Sequence, residues 1–140
     1  MDFAIKAALA DPDAETFVFP AQKSMYGGKT IRAGDALFVF ASENEGGAGL
    51  VARAVVTVAQ PVPPVPGLAR QTPRVTLAAR RTALALRPLG RRELKAFRHW
   101  DDGRPETELN FKFYRQATNK VVGLSPAAST FLAGFFPASA

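Results

Sequence analysis

Three aromatic residues stand outside the apolar runs of this chain and have polar or cationic neighbours: Tyr26, Trp100 and Tyr114. Tyr26 lies between Met25 and two glycines, in a loop that lets a ligand approach the backbone. Trp100 follows His99, and Tyr114 is followed by Arg115 and Gln116, with Asn119 close behind. An aromatic face flanked by amides and cations is equipment for stacking a planar base and reading its edge. Arg115 would serve a phosphate and Asn119 a base edge, although an asparagine here also stabilises turns. Ser42 and Glu43 end an apolar run and would line the same mouth or form a plain turn. The candidate ligand set is therefore Tyr26, Ser42, Trp100, Tyr114 and Asn119. Lys23, Arg98 and Arg115 are candidates for phosphate at its rim. The remaining aromatics, such as Phe38, Phe40, Phe111, Phe113 and Phe131, sit at strand or helix spacing and read as core.

Other chemistries find little support. His99 is the single histidine and there is no cysteine, so neither a histidine cluster nor a thiolate site can form. No metal and no cofactor is expected. No Gly-x-Ser-x-Gly, Walker A or dinucleotide glycine fingerprint occurs. The carboxylate pairs Asp11/Asp13, Glu43/Glu45 and Asp101/Asp102 fall in turn-like contexts.

Charge points to a polyanion. The net charge is +6, and ten of the cations fall between Arg70 and Arg104 against Glu93, Asp101 and Asp102. Lys112, Arg115 and Lys120 form a second basic group. This balance fits a nucleic-acid partner, with a solvated basic surface as the competing reading. No apolar run approaches the ~20 residues that span a bilayer. The segment MDFAIKAALADPDAE lacks a basic lead and is a poor signal peptide. Together these give an expectation of a cytoplasmic, non-membrane protein. A length of 140 residues fits one domain with a real core.

The elements that must position these residues are mostly strands. Met25 to Ala59 carries the strongest pattern, a glycine turn, Gly34-Asp35, the apolar run Ala36–Ala41, a glycine-rich loop, and the β-branched run Leu50–Ala59. It reads as an antiparallel hairpin. Asp2–Leu9 alternates with period two and reads as a strand, with a helix as the alternative. Thr16–Phe19 is a short extended segment ended by Pro20, followed by a loop over Gln22–Thr30. Gln60–Gly67, with four prolines, is a stiff loop between strands; docking as a polyproline ligand is its other reading. Arg74–Leu86 changes phase and predicts a bulge near Arg80-Arg81. Arg91–Phe97 reads as a helix weakly capped by Gly90, with Leu89 ahead of it. Glu108–Gln116 alternates Leu109, Phe111 and Phe113 against polar residues and reads as a strand. Val121–Leu124 is another strand. Ser125-Pro126 opens a last helix, with Phe131 and Phe135 on its buried face. Hairpin-length connections and the lack of long crossovers predict an α+β fold. It would be a small antiparallel barrel or strongly curved sheet with short helices at its ends.

Ile31-Arg32-Ala33-Gly34-Asp35-Ala36-Leu37-Phe38-Val39-Phe40 resembles the Gly-Asp signature with which PUA-like domains lead into a strand. Ala48–Val58 is similar to the valine-rich strand that follows it, and Met1–Lys6 to the first strand of EVE-type domains. Where those domains carry a first-strand tryptophan this chain has Phe3. The resemblance implies one PUA-like, EVE-type domain over residues 1–140 and a non-catalytic module that binds RNA or a modified base in an aromatic pocket. It also brings an alternative, since some PUA-like relatives are hydrolases that use Lys, Thr and Glu, positions that Lys23, Thr30 and Glu43 would fill here. A protein-interaction domain is the third reading.

Overall fold

The computed structural model describes residues 1–138. Six strands, β1 (Phe3–Ala7), β2 (Thr16–Met25), β3 (Ala36–Ala41), β4 (Gly49–Pro61), β5 (Arg74–Leu84) and β6 (Lys120–Gly123), close into a barrel in the order β1-β3-β4-β5-β2-β6. The expected α+β barrel is present. Four pairings are antiparallel, but β1 with β3 and β2 with β6 are parallel. The chain leaves β1, forms β2 two places away in the barrel, and returns through a 3₁₀ turn at Gly28–Thr30 to lay β3 on the other side of β1; β6 later fills the place between β1 and β2, so that both parallel pairs arise.

The Gly34-Asp35 turn works as its residue types dictate. Gly34 has φ of 95°, a conformation that costs glycine no Cβ clash. Its N–H donates to the Val56 carbonyl at 2.7 Å, and the Asp35 carboxylate accepts from the Arg32 N–H at 2.8 Å. β3 and β4 then pair from Ala36↔Val55 to Ala41↔Gly49. β2 is longer than the sequence suggests. Pro20 does not end it but sits in a bulge between Phe19 and Gln22, where a missing N–H is tolerated. Thr76 and Arg74 hold Ala21 across the bulge, and pairing continues to Met25. The expected β5 irregularity falls at Thr82, which is left over between the pairs Arg53↔Ala83 and Ala54↔Arg81.

Two apolar cores share the barrel wall. Phe3, Ile5, Leu37, Val39, Leu77 and Val121 fill the interior. Ala4, Phe38, Phe40 and Val122 face outward and are covered by three helices, α1 (Arg91–Leu94), α2 (Pro105–Phe113) and α3 (Pro126–Ala133). Every residue of β1 is therefore buried. At α3 the Ser125 hydroxyl accepts from the Ala128 N–H at 3.1 Å, the cap its Ser-Pro start predicts. α3 ends at Ala133; Phe135, beyond it, is buried and Phe131 half-buried. α1 stops at Leu94 rather than Phe97, and the Glu93 carboxylate accepts from the Gly90 N–H at 2.7 Å.

The segment read as a strand over Glu108–Gln116 is instead α2 and the turn after it. Leu109 and Phe113 belong to an alternating pattern and equally to an i, i+4 pair. Both are fully buried, with Asn110 and Thr107, while Phe111 turns toward the surface. Pro105 at the first helical position, Glu106 and Glu108 in the first turn and the Glu108–Lys112 ion pair at 2.9 Å decide in favour of the helix.

Candidate functional site

The candidate residues divide into two groups, one at each end of the short strand β6. The first is aromatic. Gly123, at the end of β6, donates its N–H to the Tyr26 carbonyl at 3.1 Å and so holds Tyr26 in a left-handed conformation with φ of 52°. Few non-glycine residues adopt this geometry, and it is a form of local strain often found at functional positions. The Tyr26 and Trp100 rings stand edge-on against Phe111, with centroids 5.8 Å and 5.6 Å from it. Tyr26 is 37% exposed and Trp100 44%. The Arg115 guanidinium lies 4.2 Å from the Phe111 ring centre, and the Lys112 ammonium 5.9 Å from that of Tyr26. A cavity of about 210 Å³ opens beside Trp100 and Phe111, with Arg104, Thr107 and Lys112 in its wall.

The turn leading into α2 is tied by hydrogen bonds of its own. The Asp102 carboxylate accepts from the Arg104 N–H at 2.9 Å and the Thr107 hydroxyl at 3.0 Å. The backbone hydrogen bond from Arg104 is the main reason its pKa lies below the ordinary value. Burial pushes the Glu108 carboxyl up, but hydrogen bonds from Ser125 and Lys112 outweigh it and the net shift is downward. Glu108 therefore stays ionised and fixes Lys112, which also donates to the Gly123 carbonyl at 2.7 Å.

The second group is polar and lies around the start of β6. The Tyr114 hydroxyl donates to the Glu43 carboxylate at 2.9 Å, and the Asn119 amide donates to Glu45 at 2.6 Å. Glu43 also accepts from the Arg91 N–H at 2.7 Å. Behind them Lys6 and Lys120 are almost completely buried. Lys6 donates to the Phe113 carbonyl at 2.8 Å and Lys120 to that of Thr118 at 2.9 Å. Burial lowers the Lys6 pKa, partly offset by Glu43. Burial, then the charges of Lys6 and Lys23, bring Lys120 down to about 8. Burial and the Glu43 charge push the Tyr114 phenol above its ordinary value. Among the described residues, the buried Ser42 Oγ and Asn119 Oδ1 have no hydrogen-bond partner. The group thus keeps free acceptors and, on each ammonium, a third N–H.

The structure brings Tyr26 to Trp100 through Phe111, and sets Tyr114 on Glu43 and Asn119 on Glu45, in the turn that Ser42 opens. Tyr114 and Arg115 are adjacent in sequence but serve different groups. Lys23 is half-buried on β2 and lies in a separate cleft. Arg98 is exposed and donates to the Lys95 carbonyl at 2.9 Å rather than to a residue of either group. Lys23, Thr30 and Glu43 are engaged separately, Thr30 on the Gly27 carbonyl and Glu43 on Tyr114. Sequence reasoning missed Phe111, Lys6 and Lys120. Reading α2 as a helix would have turned Phe111 away from the Leu109/Phe113 side. Nothing in the sequence marks Lys6 or Lys120 as buried. Among the described residues, no three His, Cys, Asp or Glu side chains gather as a metal site, and no helix is long and apolar enough to cross a membrane.

No family model matches the chain, and no curated protein matches it. Solved structures do. The crystal structure of the DUF55 domain of human thymocyte nuclear protein 1 superposes with a TM-score of 0.63 at 12% identity, over 96% of this chain and 97% of that one. The crystal structure of human THYN1 protein in complex with 5-methylcytosine containing DNA gives a TM-score of 0.62 at 14% identity, over 95% of each chain. At that identity the likeness is one of fold: this chain shares with those domains the architecture described above, a closed six-strand barrel with short helices.

Proposed function

We propose that the protein is a non-catalytic nucleic-acid-binding module of EVE type, and that it takes a base of RNA or DNA, modified or not, against the aromatic group of Tyr26, Phe111 and Trp100. One observation carries the reading. Two exposed rings are held edge-on to a third, with Arg104, Lys112 and Arg115 around them. A base offers a π-face to such rings whatever its identity, and the cations attract the phosphates beside it. The complex of THYN1 with DNA containing 5-methylcytosine supports a modified base as ligand for this fold.

Trp100 is the sole tryptophan, so its fluorescence reports on this group alone. Titration with single-stranded DNA and RNA, with cytosine or 5-methylcytosine at one position, is expected to quench it saturably. Unchanged emission with every oligonucleotide would reject the reading.

Ser42 favours a second reading of where the base edge is read. Its buried Oγ, like Asn119 Oδ1, has no partner among the described residues and is an acceptor for an exocyclic amine. If the base edge docks there, Ser42→Ala would narrow the preference between bases while Trp100 quenching persisted. Unchanged preference in that variant would leave the aromatic group as the sole base site.

A further inference from the structure

A further cleft lies outside both groups. β4 and β5 are joined by residues 62–73, which carry most of the proline-rich stretch and lie as a strap beside β2. The strap is tied within itself by Gln71. Its side chain accepts from the Val65 N–H at 2.7 Å and donates to the carbonyls of Val65 at 2.7 Å and Leu68 at 3.1 Å. The far end is anchored where both the N–H and the hydroxyl of Ser24 donate to the Pro73 carbonyl, at 2.8 Å and 2.9 Å. Between strap and barrel is a cleft of about 850 Å³.

Its lining has an unusual composition. Proline rings with Val65 and Leu68 supply apolar surface, and Lys23, Lys29, Arg70 and Arg74 supply four cations. No acidic residue lines it. Among the described residues the one ion pair is Lys112–Glu108, so none of the four is neutralised by a carboxylate. Four unpaired cations around one cleft repel each other and attract a polyanion. No aromatic ring is present for stacking, and both amide atoms of Gln71 are used within the strap. The surface suits charge and sugar and has little with which to read a base edge.

We propose that this cleft is a groove for the sugar-phosphate backbone of a single strand, and that Lys23, Lys29, Arg70 and Arg74 hold its phosphates without reading sequence. The proposal rests on the base-binding reading above only for the identity of the polyanion. β2 connects the two places. Lys23 lines the cleft, and Tyr26 follows directly on Met25, the last residue of the same strand. A strand whose base rests against Tyr26 and Trp100 would lay in the cleft the phosphates several nucleotides farther along, beyond the span of a trinucleotide.

The test is the double variant Lys29→Ala/Arg70→Ala. Both residues are exposed and make no side-chain hydrogen bond or ion pair, so the fold should survive. Circular dichroism and the urea midpoint would check that it does. Binding of a labelled long oligothymidylate is measured against salt, together with Trp100 quenching by a trinucleotide. Loss of two phosphate contacts should flatten the log–log salt slope by about 1.4, at ~0.7 for each contact to a single strand, and leave trinucleotide quenching unchanged. An unchanged slope overturns the groove, even where the trinucleotide still quenches Trp100. A flattened slope with no quenching in the wild type keeps the groove and rejects the aromatic base site instead. Equal displacement of the oligonucleotide by polyglutamate would overturn the nucleic acid as its occupant in favour of an acidic polypeptide.

Discussion

Lys6 and Lys120 face each other in the antiparallel register of β1 and β6, both buried, and both reach the carbonyls of the turn that follows α2. Two like charges side by side in a protein interior are costly. Here four carbonyl oxygens, of Phe113, Ala117, Gln116 and Thr118, receive their protons. The pair thereby ties the first and sixth strands to the segment carrying Tyr114, Arg115 and Asn119.

The pair should be visible in the pH dependence of stability. Lys120 titrates near 8 in the folded chain, against 10.5 for an ordinary lysine. Between these values the unfolded chain holds a proton that the folded chain has released, so stability from this group rises with pH across that window. Tyr114 acts in the opposite sense above about pH 10, where an ordinary phenol loses its proton on unfolding and the folded one keeps it. Urea midpoints should therefore climb from pH 8 toward 10 and turn down beyond it. In Lys6→Met the Lys120 titration, followed by NMR of the ammonium, should move upward. A flat profile from pH 8 to 10 would mean that Lys120 is not perturbed.

Removing the Tyr114 hydroxyl strips Glu43 of its phenol donor while the Arg91 N–H remains. A hydrogen bond to a charged group contributes about 1.5–3 kcal/mol. Tyr114→Phe should lose stability in that range by urea denaturation, and the Trp100 emission of the folded protein should not change. A loss well below 1 kcal/mol would place the hydroxyl in solvent rather than on Glu43.

Trp100→Ala should weaken single-strand binding by about 1–3 kcal/mol, the effect of one lost stacking contact. Arg115→Ala should weaken all sequences alike and flatten the salt slope by about 0.7. Fluorescence anisotropy at several salt concentrations measures both. Because Arg115 rests on Phe111 and not on Tyr114, its loss should leave the polar group around Glu43 intact.

Gly28 packs against the backbone of β6. A Cβ placed on it would fall inside the contact distance of the Val121 carbonyl oxygen, which belongs to backbone and cannot move aside. Gly28→Ala should cost at least the ~1–3 kcal/mol typical of overpacking, read as a lower urea midpoint. An alanine tolerated there would mean that the 3₁₀ turn is free to lift from the barrel.

What could be read beforehand depended on whether a pattern had one physical explanation. Gly34-Asp35 flanked by apolar runs has one, and β3 and β4 follow it. Ser125-Pro126 before an apolar face has one, and α3 starts there. Leu109-x-Phe111-x-Phe113 has two, because residues 109 and 113 repeat both every two and every four positions. Pro105 and the acidic first turn resolved that ambiguity and were passed over. Lys6 occupies a position that alternation assigns to solvent. In this barrel the outward face of β1 lies beneath helices, so the residue is buried through an arrangement that no local window contains. The division of the candidate residues into two groups has the same origin. Tyr26 and Asn119 are placed by opposite ends of a four-residue strand whose neighbours lie about a hundred residues away.

That strand has a consequence for how the molecule reaches its final shape. Among the described residues β6 is the strand that pairs with both β1 and β2, antiparallel to one and parallel to the other, and Phe3 meets Gly123 across nearly the whole chain. Until Lys120–Gly123 is in place, β1 and β2 are the two free edges of an open sheet, with backbone groups available to any passing strand. Contacts so distant in sequence form late and slowly. These four residues thus separate a closed barrel without edges from a sheet that can add neighbours. They are also the residues that bring Tyr26 and Lys120 to their stations, so assembly of the wall and assembly of the site are one event.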